Sequence, residues 1–574
     1  MGSLNTPNDW TIDPAVFAFT PRKLRVVCIG AGFAGLTVAY KLKHERPLDY
    51  VDLTVYEKNS DVGGTWFENI YPGVGCDIPI HSYIFYFNPK PDWSHCYVKG
   101  PEIQQYILGT TEKFGLREKI QFRTKLTSAI WNEDEGKWAL KLECGGEVLE
   151  DKADVVLDGS GVLKYLSLPY RLVYLGWIGA DRSSNWTFPD IEGLDSFQGK
   201  VLHTAKWDAS YDHTSKRIAV IGNGSSALQV VPAVQPTATK LVNYIRHPTW
   251  ISINLAGDIT RDGMGTNFAY TDEEKRLYRE DPAEFLKYRK YVESSVNNVY
   301  KLMLSGSPEN KFLFGLVDGV MRARLAKNPH LIEKLIPEYE IGCRRLSPGD
   351  GYLEAMQCEN ARFEFDPIIR VTENGILTEA GEEEFDLIVT ATGFNTTYIP
   401  TWELVGRDGR RLDVEWREKP EAYFSLCAAG MPNYFFFGGP NAPVGHGSVP
   451  VMLAWSGDYM LDWIEKIAKE DIKSVVVRDS VVRDFNRYAA EGLKRCVWSK
   501  GCTAWYSKKN APGESNTVTA MYPGSQLQYK EYIKTIRGEH FDIQHNTSNP
   551  FRYLGNGMLE LEHAEGGDMA YYIE

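Results

Sequence analysis

Lys23-Leu24-Arg25-Val26-Val27-Cys28-Ile29-Gly30-Ala31-Gly32-Phe33-Ala34-Gly35 is the stretch that decides the fold. A β-branched apolar run that stops at Gly30 predicts a buried strand, and the apolar pattern from Phe33 to Leu42 predicts a helix. The G-x-G-x-x-G turn between them lets a backbone bend sharply and approach a pyrophosphate closely. A second short run, Val51 to Tyr56, ends at Glu57, 22 residues after Gly35. A carboxylate there accepts hydrogen bonds from a ribose diol. Strand, glycine turn, helix, strand and acid together make a complete dinucleotide-binding βαβ unit.

A second unit follows. Ile218 to Ile221 runs into Gly222-Asn223-Gly224-Ser225-Ser226-Ala227, with the small Ala227 at the third glycine position. Its next strand, Lys240 to Ile245, ends in Arg246 instead of an acid. An acid suits a free 2′-hydroxyl, whereas an arginine pairs with a 2′-phosphate. The first unit therefore reads as an FAD site and the second as an NADPH site. The expected fold class is α/β, with two Rossmann-like dinucleotide-binding domains.

Between and beyond these units the chain carries further glycine turns. Gly63-Gly64-Thr65-Trp66-Phe67-Glu68 is followed by Tyr71-Pro72-Gly73, Cys76-Asp77 and His81-Ser82-Tyr83. Paired glycines allow backbone amides close to a cofactor. Thr65, Trp66, Phe67, Glu68, Asp77 and Tyr83 are accordingly candidate cofactor contacts, and Trp66 is either a flavin neighbour or a core tryptophan beside a turn. From Asp272 to about Pro337 the pattern turns helical and charged. Asp386 to Phe394 reads as a buried strand leading into a glycine turn, and Phe435-Phe436-Phe437-Gly438-Gly439-Pro440-Asn441 ends another. The expected organisation is an FAD-binding domain in two parts, 23–163 and 381–574, with the NADPH-binding domain inserted at 211–380. The helical insertion, about 272–337, belongs to the latter, and 164–210 is the linker.

Composition narrows the class. The 63 Lys and Arg against 76 Asp and Glu leave a net charge of −13, which argues against nucleic acid as a partner. Nine cysteines without a C-x-x-C pair favour reduced thiols and no metal site. The polar stretch Met1 to Arg22 has no signal-peptide pattern, and no window reaches the length of a membrane span. These features point to a cytoplasmic protein.

The linker holds Phe197-Gln198-Gly199-Lys200-Val201-Leu202-His203-Thr204-Ala205-Lys206-Trp207-Asp208, an F-x-G-x-x-x-H-x-x-x-W-D pattern between the two glycine loops. Here the chain resembles the type I Baeyer–Villiger monooxygenases, class B flavoproteins that insert one atom of O2 beside a ketone carbonyl. The resemblance runs from Val26 to about Tyr532, its last motif being Thr517 to Ser525. It implies oxygen insertion through a C4a-peroxyflavin, with NADPH as reductant. It also implies Arg345 as the catalytic cation, held by Asp77, with Arg344 beside Arg246 at the NADP phosphate. Trp505 would touch the nicotinamide side, and His203 would couple domain motions. The similarity is to the fungal secondary-metabolism branch, which implies a bulky cyclic ketone of polyketide or terpenoid type.

The family pattern breaks at Lys164–Ser184, 21 residues with an apolar middle. They are either a retained intron or a genuine loop. Two rival functions stay open, an N- or S-hydroxylating flavin monooxygenase and an uncoupled FAD/NADPH-binding flavoprotein.

Overall fold

The computed structural model describes residues 10–161, 188–394, 397–502, 504–508 and 517–573. The Lys164–Ser184 segment lies outside them.

Two five-stranded parallel sheets organise the molecule. In the first, strand Leu24–Ile29 lies between Val51–Tyr56 and Val155–Asp158. Ile120–Gln121 and Tyr434–Phe436 close its two edges. In the second, Arg217–Ile221 lies between Lys240–Tyr244 and Leu387–Thr390, with Ala361–Glu364 and Lys200–His203 outside. The central strands are buried on both faces, which explains their near-continuous apolar composition. Because Tyr434–Phe436 returns to the first sheet after the second is complete, the second unit is inserted into a discontinuous first one.

The linker pattern acquires a structural meaning here. Lys200–His203 is the edge strand beside Leu387–Thr390. Phe197 is buried with Leu194, Ala219 and Ile388. His203 is buried too, and burial lowers its pKa to about 4, so its ring is neutral at ordinary pH.

The charged helical stretch resolves into helices Asp272–Glu280, Pro282–Leu302, Pro308–Arg324 and His330–Leu335. Each of the first three starts at a side-chain cap, from Thr271, Asp281 and Ser307 respectively. Those oxygens satisfy amide groups that a helix start leaves unpaired. No helix among the described residues is long and apolar enough to cross a membrane.

The cysteines require a correction. Cys343 and Cys502 form a disulfide, and the other seven are free. The two partners stand 159 residues apart, and only the folded chain brings them together.

Candidate active site

The carboxyl ends of both sheets face one cleft of about 620 Å³. Each first strand stops at a glycine that no other residue could replace without strain. Gly30 has φ +97°, and a Cβ there would lie 2.7 Å from the Gly159 carbonyl oxygen. Gly222 has φ +113°, and its Cβ would lie 2.5 Å from the Ala391 carbonyl oxygen. The helices that follow, Phe33–Tyr40 and Ser225–Val234, begin at Gly32 and Gly224 with no side-chain cap. Their first amides are thus left for an anionic ligand, and the helix dipole favours negative charge at that end.

Glu57 closes the first cradle. Its two carboxylate oxygens accept from the Ala31 amide (2.7 Å) and the Asn59 amide (2.8 Å). Each oxygen keeps a second lone pair that can accept from a further donor. Burial raises the Glu57 pKa, a tendency the two amides oppose. Thr65, Trp66, Glu68 and Tyr83 also line the cleft. The Trp66 indole donates to the Tyr83 hydroxyl at 3.3 Å, and the two rings meet edge to face. Phe67 is not among the lining residues, and Gly35 and Ala227 lie behind the turns, where a small residue lets helix and strand approach.

Arg345 and Asp77 meet inside the cleft although 268 residues separate them. Arg345 Nη2 and Nε both donate to Asp77 Oδ2, at 2.6 and 3.2 Å. The Asp77 charge raises the pKa of Arg345, which therefore remains a permanent cation. A third of the Arg345 side chain is exposed to the cleft, and its Nη1 bonds to no described residue. One edge of the guanidinium is thus fixed and the other is presented to whatever the cleft holds.

On the second unit, Gly224, Ser225 and Ser226 line the cleft. Arg246 is exposed past the end of strand Lys240–Tyr244 and makes no ion pair among the described residues. Arg344 donates to the Pro248 carbonyl at 3.2 Å, so it reaches the turn that Arg246 opens. Trp505 lines the cleft from the C-terminal segment, next to the disulfide partner Cys502.

Several lining residues belong to none of the motifs in the sequence. Gln229 accepts from the Tyr71 hydroxyl (2.7 Å) and donates to the Gly75 carbonyl (3.0 Å), joining the second unit to the loop before Asp77. Nothing in its helical context distinguishes it from a solvated glutamine. His446 was legible in principle, flanked by Gly445 and Gly447. It is buried, it accepts from the Gln526 amide at 2.9 Å, and burial lowers its pKa to about 3.

Comparison with known proteins places this geometry. The profile of NAD(P)-binding Rossmann-like domains matches residues 28–99. The FAD-binding monooxygenase tazF of Aspergillus terreus is 62% identical over 99% of this chain and 98% of its own. A Baeyer–Villiger monooxygenase of Pseudomonas aeruginosa is 33% identical over 93% of this chain and 94% of its own. The chain belongs to the FAD-binding, Baeyer–Villiger-type monooxygenases. Cyclohexanone monooxygenase from Rhodococcus sp. Phi1, solved bound to NADP+, shares the fold, with a TM-score of 0.75 at 24% identity over 92% of this chain and 100% of that one. Membership in this monooxygenase family gives the two cradles and the shared cleft their meaning as parts of one enzyme.

Proposed function

We propose that this chain is an FAD-dependent, NADPH-consuming Baeyer–Villiger monooxygenase that converts a bulky cyclic ketone, polyketide- or terpenoid-like, into an ester or lactone. The observation that carries the reading is the Arg345–Asp77 pair, set where two dinucleotide cradles open into one cleft. The residues fit both cofactors: an uncapped helix start and a buried glutamate for FAD, an uncapped helix start and two arginines at one turn for NADPH.

FAD, when bound and reduced by NADPH, would activate O2 so that one oxygen atom enters beside the carbonyl and the other leaves as water. The protein's part is orientation and charge. Gly30, Gly32, Glu57, Thr65, Trp66 and Tyr83 hold the flavin nucleotide. Ser225, Ser226, Arg246 and Arg344 hold the phosphates of NADPH, with Trp505 walling the nicotinamide side. Asp77 fixes one edge of Arg345, whose free Nη1 donates to the oxygen on which negative charge develops. A fixed cation in a cleft shielded from water is worth more than the same cation in solution. Neutral His446 adds no competing charge.

The domain limits 23–163, 164–210, 211–380 and 381–574 belong to the same reading. The test is product analysis under labelled O2 with NADPH and a panel of bulky cyclic ketones. A lactone carrying one labelled oxygen is expected. Hydrogen peroxide matching the NADPH consumed, with no oxygenated product, would mark an uncoupled flavoprotein and overturn the reading.

A further inference from the structure

Arg345 and Asp77 belong to different units, so their contact is only as good as the alignment of those units. The longer of its two bonds, from Nε to Oδ2, already spans 3.2 Å. A slide of about 0.5 Å between the units would carry it past hydrogen-bond reach. One helix of the second unit touches the segments on both sides of the pair.

That helix is Ser225–Val234. Ser225 and Gln229, four residues apart, share one of its faces. The Ser225 hydroxyl meets that of Ser347 at 2.7 Å, and the Ser347 hydroxyl in turn donates to the Arg345 carbonyl at 3.4 Å. One turn further along, Gln229 holds the segment of the other partner. Its Oε1 accepts from the Tyr71 hydroxyl at 2.7 Å, and its Nε2 donates to the Gly75 carbonyl at 3.0 Å, two residues before Asp77. Those groups lie 158 and 154 residues away in sequence, and Tyr71 is buried. The same segment is also pinned to its own unit, where the Cys76 amide donates to the Val98 carbonyl at 3.0 Å. Both polar atoms of Gln229 are therefore engaged in tying one unit to the other.

We propose that Gln229 is a positioning residue for the Arg345–Asp77 pair, fixing the Asp77 segment to the helix that holds the Arg345 segment through Ser225. The uncapped start of that helix is the phosphate cradle of the second unit. The guanidinium is thus aligned to the place of NADPH, and not to the flavin unit alone. The proposal rests on the ketone-oxygenating function above.

The test uses the FAD-loaded enzyme with saturating NADPH and tetralone, a bicyclic ketone. Gln229→Leu keeps the bulk and removes both bonds, whereas Tyr71→Phe removes the shorter one alone. Lactone formed per NADPH oxidised should fall about ten- to a hundredfold in Gln229→Leu, the cost of a misplacement of up to about 1 Å, with hydrogen peroxide making up the difference. Tyr71→Phe should lose about three- to tenfold, the worth of one hydrogen bond. The double variant should lose no more than Gln229→Leu, because both act through one contact. The KM for NADPH should move less than about threefold, which is less than one hydrogen bond is worth. Without turnover, hydrogen exchange at the amides of residues 71–77 should speed up about tenfold in Gln229→Leu, while the melting temperature stays close to that of the wild type. Tyr71→Phe carries the test alone if Gln229→Leu does not fold. A raised KM at unchanged lactone yield would make Gln229 a ligand of NADPH and overturn the positioning role, as would unchanged exchange at 71–77. Faster exchange in the variant, with a wild type that makes no lactone, upholds the tie and counts against the proposed function instead.

Discussion

At the scale of single residues, the charge logic of the cleft yields separable expectations. Arg345→Ala should retain FAD and still accept hydride, because the cradles and the dinucleotide arginines are untouched. Product formation should fall about a hundred- to a thousandfold, the loss typical of one donor to a developing oxyanion. Comparing product yield with NADPH oxidation checks this, and ester formed at the wild-type rate would remove Arg345 from the chemistry. Arg246→Ala should lower the preference for NADPH over NADH about tenfold or more, since a bond to a charged phosphate is lost. An unchanged ratio of kcat/KM values would exclude it from the phosphate site. Glu57 connects function to stability. Its folded pKa is raised by burial, so the native state holds that proton more tightly than the unfolded chain. The resulting stability is present below the ordinary glutamate range and is lost as pH rises through the folded value. Glu57→Gln should therefore flatten the pH dependence of apoprotein melting above the ordinary range while weakening FAD binding. Melting curves that keep the wild-type pH slope would refute the assignment.

Among the elements, glycine turns were legible because their demand is local. A strand that must reverse at Gly30 or Gly222 announces itself in the residues that flank it. The insertion of one unit into the other was legible too, from the strand-to-glycine pattern returning after Asp386. Contacts between elements were not, since polar residues such as Gln229 carry no mark of the partner they meet. His81 shows the same limit. It is 2% exposed, neither ring nitrogen has a hydrogen-bond partner among the described residues, and Tyr270, Phe285, Tyr288 and Tyr278 surround it at 5.2 to 6.1 Å between ring centres. The last three stand on helices Asp272–Glu280 and Pro282–Leu302, so His81 joins the helical insertion to the first unit. Burial first, then Arg289 and Lys90, lower its pKa to about 3. A depressed histidine pKa gives stability that is present above the unfolded value and lost as pH falls toward the folded one. The docking of the helices should weaken between roughly pH 6.5 and 3, by on the order of 1.4 kcal/mol per pH unit. His81→Phe keeps the aromatic contacts and cannot titrate. Its gain in melting temperature should be larger at pH about 5 than at about 8, and an equal gain at both would show that His81 does not set the acid limit.

Across the whole molecule, the cleft is built by ties between segments far apart in sequence, and among the described residues the Cys343–Cys502 bond is the covalent one. Cys343 immediately precedes Arg344 and Arg345, and Cys502 stands three residues before Trp505, so the bond clamps the arginine-bearing segment to the C-terminal wall of the cleft. The Tyr506 hydroxyl, 3.5 Å from the Gly342 carbonyl, supports the same junction without a covalent bond. Nothing in the sequence marks this pairing, because the partners share no motif and 159 residues separate them. Closing so long a loop restricts the unfolded chain and typically stabilises by about 2–4 kcal/mol. Protein purified without reductant should thus be two hydrogens lighter than its fully reduced form. Added dithiol should lower the melting temperature, and Cys502→Ser should melt at the same lower temperature and ignore the dithiol. Because Trp505 hangs from this clamp, both treatments should also raise the KM for NADPH more than they lower the rate of flavin reduction at saturation. A mass that corresponds to nine thiols in protein kept from reductant would remove the clamp, and leave the cleft wall to noncovalent packing alone.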